Sequence, residues 1–229
     1  MKANVLPNTS LIYSNDYVKE YESYPRKRMQ KLIPYLNLKP NEALLDVGCG
    51  PGWLLDMTAG TIGRYVGIDF SKEFIQGANA RLAEMNIPNA RFECSDIVEF
   101  CQKNVGVFDK ATLFDVSHLI EDPKLLPIYR AIRSTLKPGG RLYIHTLNSD
   151  YFLELLKSVG LVRRRLSSYY SAVRNENRNA ELLYRVGYTA VSCRGITHYL
   201  FPLNLLHFLS YIPLVGRFFK ARLLLTAIA

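Results

Sequence analysis

What the 229-residue chain lacks narrows its chemistry first. Its four cysteines, Cys49, Cys94, Cys101 and Cys193, form no C-x-x-C pair and no zinc spacing. No metal-ligand cluster is visible, and reduced thiols of a cytosolic protein are the expectation. Met1–Leu11 has no apolar core of signal-peptide length. No internal repeat and no Ser/Gly linker breaks the sequence, so one domain over residues 1–229 is expected. With 48% hydrophobic and 21% charged residues, a disordered, collagenous or low-complexity chain is excluded.

Acidic residues are scarce in one half. Residues 1–128 carry 14 Lys/Arg against 16 Asp/Glu, a net of −2. Residues 129–229 carry 15 against 4, a net of +11. Such a half suits an anionic partner: a phosphate-bearing substrate, an acidic membrane surface or nucleic acid. Solubility alone is the plainer explanation. Gly195–Gly216 holds no Lys, Arg, Asp or Glu over 22 residues. Pro202, Pro213, Asn204, His198 and His207 argue against a membrane-spanning helix there. An apolar helical insertion over 199–219, before the last strand, is the alternative.

The rest alternates short apolar strands with amphipathic stretches, which predicts an α/β fold. Residues 1–40 read as a helical cap. Tyr13, Tyr17, Tyr21 and Tyr24 share one helical face, suited to a lid or to ordinary packing, and Pro25 opens a second helix to about Leu36. Strands are expected at Ala43–Val47, Tyr65–Asp69, Ala90–Cys94, within Val107–Val116, at Arg141–Thr146, Tyr188–Thr197 and Arg222–Ile228. Helices are expected over Gly52–Ala59, from the Ser71 cap through Met85, over Pro123–Leu136, Tyr151–Val159 and Asn177–Val186. Lys137-Pro138-Gly139-Gly140 should stop the Pro123–Leu136 helix. Residues 41–150 then form a core, and 151–229 the remaining region.

The informative stretch is Leu44-Leu45-Asp46-Val47-Gly48-Cys49-Gly50-Pro51-Gly52. A strand enters a glycine-rich turn and then a helix. A dinucleotide fingerprint would need glycine at 53, where Trp53 stands, and a phosphate loop would need a Lys that is missing. Three glycines let a ligand approach the backbone closely at the strand ends. Asp69 follows Gly52 by 17 residues, at the tip of the second strand, where a carboxylate can accept two ribose hydroxyls. Asp96, after the third strand, is placed to accept from an adenine amino group, with Ile97 against the ring. Helix caps and a tight turn are the purely structural alternatives.

In Leu44–Gly52, Tyr65–Ser71, Ser95–Ile97, Phe108–Pro123 and Leu136–Ile144 the chain resembles the class I S-adenosylmethionine-dependent methyltransferases, near the small-molecule group called methyltransferase type 11. The likeness spans roughly residues 40–150. It implies a Rossmann-like, mainly parallel seven-stranded sheet with helices on both faces, and S-adenosylmethionine as cofactor, leaving as S-adenosylhomocysteine. By this resemblance Asp46, Gly48, Gly50 and Gly52 shape the methionine end of the pocket. Asp69 binds the ribose, and Asp96 with Ile97 the adenine. Cys49, Phe70 and Asp115 complete the implied cofactor-binding set.

Methyl transfer from a sulfonium is an in-line displacement that needs alignment and, for a hydroxyl, removal of a proton. His118, in Phe114-Asp115-Val116-Ser117-His118, aligns with a histidine of many relatives, while Ser117 replaces their acidic residue. His118 is either a general base or a structural histidine. His145, late in the fifth strand, is the other base candidate, or a packed strand residue. No D/N-P-P-Y and no Pro-Cys pair follows the fourth strand, which speaks against DNA methylation. The paired-glutamate loop of protein arginine methyltransferases is also missing.

Arg163–Arg165, Arg174, Arg178, Arg185 and Arg194 form a basic field, and Arg217, Lys220 and Arg222 follow the apolar insertion. The expected partner is a small or lipid-linked, anionic acceptor, O-methylated by a cytoplasmic enzyme. Peripheral contact through residues 199–222 with the inner membrane face would fit. An RNA or protein methyltransferase, and a non-catalytic cofactor-binding module, are the alternatives.

Overall fold

The computed structural model describes residues 27–162, 172–198 and 202–229. The tyrosine face of the N-terminal cap, Pro25 and Arg163–Arg165 lie outside them.

Seven strands form one sheet: β1 (Ala43–Val47), β2 (Arg64–Asp69), β3 (Ala90–Cys94), β4 (Phe108–Phe114), β5 (Leu136–Leu147), β6 (Thr189–Ile196) and β7 (Arg222–Ile228). Their order is β3-β2-β1-β4-β5-β7-β6. All neighbours are parallel except β7, which runs antiparallel to both β5 and β6. This is the Rossmann-like sheet expected from the sequence.

The chain steps outward from β1 through β2 to β3, then returns to the other side of β1 with β4. That reversal opens a crevice at the C-terminal ends of β1 and β4, where open α/β sheets bind ligands. β1 is buried at every residue, as a central strand covered on both faces must be. Leu45 and Val47 face a core with Ile68, Leu113, Tyr129 and Leu142. Leu44 faces the opposite layer, with Leu54, Tyr65, Phe114 and Tyr143.

The helices are α1 (Lys27–Gln30), α2 (Ile33–Leu36), α3 (Trp53–Thr58), α4 (Lys72–Met85), α5 (Ile97–Lys103), α6 (Asp122–Thr135), α7 (Phe152–Ser158) and α8 (Glu176–Arg185). Ser71 Oγ caps α4 by accepting from the Phe74 N–H, and the Asn175 side chain caps α8 by accepting from Arg178. Each satisfies an orphan donor of a first turn.

Four details depart from expectation. The single helix to Leu36 is two short ones, because Pro34 sits in the first turn of α2 and has no N–H to continue α1. α5, with seven residues, makes about two turns, and beyond the cap at Asp96 it is too short for a periodic signal. β5 begins at Leu136, so Lys137–Gly140 ends the helix but bulges within the strand, between the pairs Phe108↔Leu136 and Lys110↔Arg141. The insertion is not an α-helix but two 3₁₀ segments, Leu203–Tyr211 and Gly216–Phe219. Among the described residues no helix is long and apolar enough to cross a membrane.

Candidate active site

The site is built from the turn after β1. Gly48, Gly50 and Gly52 have φ of 69°, 52° and 79°, the left-handed region that disfavours a Cβ. Crowding reinforces two of these positions. A Cβ on Gly48 would overlap Val116, and one on Gly52 would lie 2.5 Å from Phe92 Cζ. The turn is pinned to β2, with the N–H groups of Gly48 and Cys49 donating to the Ile68 carbonyl.

Asp69 closes the other side of the turn. Its Oδ2 accepts from the Gly50 N–H at 3.0 Å and its Oδ1 from the Ser71 N–H at 2.9 Å. Each carboxylate oxygen accepts more than one hydrogen bond, so two hydroxyls can still be received. Burial pushes the Asp69 carboxyl up, opposed by its backbone donors. Phe70 is exposed next to it.

Beneath the turn lies Asp46, buried at 3% exposure. Tyr65 Oη donates to its Oδ2 at 2.5 Å and Thr112 Oγ1 to its Oδ1 at 2.7 Å. Burial raises its carboxyl to about 6, against the lowering effect of both hydroxyls. Asp46 thus braces the turn from below. Burial also pushes the Cys49 thiol up, which keeps it protonated.

Asp96 caps α5. Its Oδ1 accepts from the Val98 and Glu99 N–H groups at 2.8 and 3.1 Å. The cap and an amino-group acceptor are compatible, because Oδ2 is not used by the cap. Ile97 packs against the core beside it.

At the ends of β4 and β5 the polar groups are buried. Asp115 is held at φ 59°, and its N–H donates to the His145 carbonyl. Its Oδ1 accepts from Arg222 Nη1 at 2.6 Å and lies 3.0 Å from His145 Nδ1. His118 is buried, with Nδ1 3.4 Å from Thr146 Oγ1. Burial lowers its pKa to about 3, with Arg222, His145 and Arg174 also lowering it and Asp115 raising it. At neutral pH His118 is therefore an uncharged imidazole.

The structure thus gathers Asp46, Gly48, Cys49, Gly50, Gly52 and Asp69 around one turn, with Asp115, His118 and His145 in a second, buried group. Asp115 belongs to that second group, as the partner of Arg222 and His145. Arg222 was read from sequence as a flank of the apolar insertion. No local signal ties it to Asp115, 107 residues away. Phe92 and Thr112 were also missed, because each acts through packing or a non-local bond.

Among the described residues, several members of the basic field already have acidic or aromatic partners. Buried Arg174 pairs with Asp122 and donates to the carbonyls of Ser117, Ile120 and Ala172. Arg178 pairs with Asp122 and Glu181, and Lys220 with Glu176. Arg194 lies over the Tyr35 ring.

A family model described as "Methyltransferase domain" matches residues 38–190. The ubiquinone biosynthesis O-methyltransferase of Chromobacterium violaceum is 31% identical over 117 residues, covering 51% of this chain and 49% of that protein. The chain spans about half the length of such curated relatives. Among solved structures, the fold is similar to a SAM-dependent methyltransferase from Archaeoglobus fulgidus (TM-score 0.65, 15% identity, 89% of this chain and 92% of that one). It is also similar to Haemonchus contortus phosphoethanolamine N-methyltransferase 2 in complex with S-adenosyl-L-methionine (TM-score 0.71, 17% identity, 98% and 60%).

Proposed function

Because the chain belongs to the methyltransferase-domain family, we propose that it transfers the methyl group of S-adenosylmethionine to an oxygen of a small or lipid-linked acceptor. The observation that carries this reading is the left-handed glycine turn clasped by Asp69 through the Gly50 N–H. The turn and the carboxylate fit an adenosine ligand. Glycines admit it to the backbone, Asp69 receives the two ribose hydroxyls and Asp96 Oδ2 the adenine amino group.

S-adenosylmethionine supplies an already activated methyl group, so the protein's task is alignment, exclusion of water and proton removal. Asp46, Tyr65 and Thr112 keep the turn in place. Of the two candidate bases His145 is better placed, because the Asp115 carboxylate lies 3.0 Å from its Nδ1, the position of the orienting group in a base–carboxylate pair. His118, held neutral down to about pH 3, suits anchoring the loop after β4.

Oxygen as the methylated atom is supported by the names of the curated relatives. The names of the curated relatives do not favour an RNA acceptor, and Arg174, Arg178 and Lys220 already have acidic partners.

The test is transfer of label from methyl-labelled S-adenosylmethionine into a cell extract, separated into organic, aqueous and macromolecular fractions. Label in the organic or aqueous fraction is expected, and label confined to macromolecules overturns the acceptor class. Asp69→Ala should weaken cofactor binding about 10- to 100-fold by calorimetry. Unchanged affinity overturns the role of Asp69.

A further inference from the structure

We propose that residues 203–219, before β7, dock this protein on an anionic lipid bilayer, with the 211–215 tip entering the headgroup layer. The inference rests on the lipid-linked branch of the functional reading, and it names the surface from which that acceptor would be drawn.

The first support is exposure. Within eleven residues, Leu205 is 58% exposed, Phe208 65%, Tyr211 79% and Leu214 93%, with Ile212 and Val215 also exposed. The 3₁₀ segment Leu203–Tyr211 contributes no buried residue. A contiguous apolar ridge of this kind marks an interaction surface.

The second support is the backbone of the tip. Leu214 is held at φ 67°, a conformation leucine disfavours. It therefore bears strain while presenting its side chain to water. Insertion into lipid would remove the second of these costs, the apolar exposure. The tip is also pre-shaped. Gly216 donates to the Ile212 carbonyl at 2.8 Å and Val215 to the Pro213 carbonyl at 2.8 Å. A Cβ on Gly216 would overlap the Ser210 carbonyl. Little ordering entropy would then be lost on docking.

Charge selects lipid over a second copy of the chain. Beyond Glu181 the sequence contains no Asp or Glu, but carries Arg185, Arg194, Arg217, Lys220 and Arg222. Arg222 is turned inward to Asp115 and Lys220 bonds Glu176. Arg217 remains beside the ridge, its guanidinium 4.7 Å from the Phe218 ring centroid. With Lys220, whose charge Glu176 already meets, it lines an open hollow of about 540 Å³ under the tip, where the Arg217 guanidinium is the group available to a lipid phosphate. Two copies of this face would bring Arg217 against Arg217 with no acid on the ridge to meet them, whereas an anionic bilayer attracts it.

Topology places the ridge usefully. Ile196 and Leu147 both pair with Arg222, so β6 ends, and β7 begins, at the edge where the parallel strands end. The ridge therefore rises from the same edge as the glycine turn. Asn148 straps it there, donating from Nδ2 to the carbonyls of Arg217 and Lys220 at 3.1 and 2.9 Å.

The experiment is sedimentation of the full chain with phosphatidylglycerol-rich vesicles and with phosphatidylcholine vesicles, alongside S-adenosylhomocysteine calorimetry. The intact protein should partition to the anionic vesicles and lose this at high salt. Phe208→Glu with Leu214→Glu should reduce partitioning by about tenfold or more, and Arg217→Glu by a few-fold. All variants should keep cofactor affinity and melting temperature, since these side chains are exposed. No vesicle binding by the intact chain overturns the proposal, as does equal binding by the double variant. A dimer that the double variant converts to monomer, with no vesicle binding, assigns the ridge to self-association and overturns it too. Failure to bind S-adenosylhomocysteine would instead overturn the methyltransferase reading, whatever the vesicles show.

Discussion

Two turns in this protein use left-handed backbone in opposite ways. After β1, Gly48, Gly50 and Gly52 adopt positive φ without strain, and at Gly48 and Gly52 neighbouring side chains fill the space the missing Cβ atoms leave. At the tip before β7, Leu214 adopts positive φ with strain, and its side chain meets nothing but solvent. The first turn is braced from below by the buried Asp46–Tyr65–Thr112 group. The second is closed by two short backbone bonds. The contrast teaches that an unusual conformation serves a ligand when burial locks it, and a surface when exposure frees it.

The sharpest way to break this comparison is to remove a buried charge from the locked side. Arg222→Met should cost about 3 kcal/mol in urea unfolding, because it leaves Asp115 buried without its guanidinium. A loss under about 1 kcal/mol would mean that the pair behaves like an exposed one.

Next in size is Gly52→Ala, expected to cost about 2 kcal/mol from φ strain and overlap with Phe92. Adding Phe92→Ala should relieve the overlap but not the strain. A double-mutant cycle with no coupling would remove Phe92 from the account.

A pH measurement sharpens the role of Asp46. Its folded-state pKa of about 6 lies above the model-peptide value of 3.8, so the folded state holds its proton more tightly than the unfolded one. Its contribution to stability is therefore greatest in acid, and declines as pH rises from about 4 to about 6. Asp46→Asn should abolish that decline in denaturation at about pH 4.5 and about pH 7. A slope that persists in the variant would place it in other groups.

The smallest expected effect lies on the exposed side. Leu214→Gly should stabilise by about 0.5–1 kcal/mol, since glycine accepts φ 67° without strain. Destabilisation in a thermal melt would show that Leu214 has a partner within the protein.

Much of the cofactor half was legible in the sequence because its signals are local. Leu44–Gly52 carries strand, turn and helix start in adjacent residues, and Asp69 ends an apolar run. β1 and β3 begin and end where the apolar pattern does, and β2 begins one residue earlier, at Arg64. The second polar group was legible only in part. His118 and His145 stand out as residues, but what sets their chemistry is Arg222 and Asp115, joined through sheet register rather than sequence. The partners of the dispersed cations were hidden for the same reason: Arg174 and Arg178 meet Asp122, and Lys220 meets Glu176, only in space. The insertion was legible as apolar and uncharged, but its prolines and glycine shape tight 3₁₀ turns whose exposure no periodicity announces.

Asn148 gives the molecule a mechanical linkage. It is buried, one residue beyond β5, and three residues from His145. Its amide grips the chain at Arg217 and at Lys220, the two ends of the last turn before β7. Asn148 thus ties the base of the exposed ridge to the strand that holds the candidate base, beside the Lys220–Glu176 pair and the Phe219–Phe152 contact. Whatever the ridge rests upon, the site and the support share one frame.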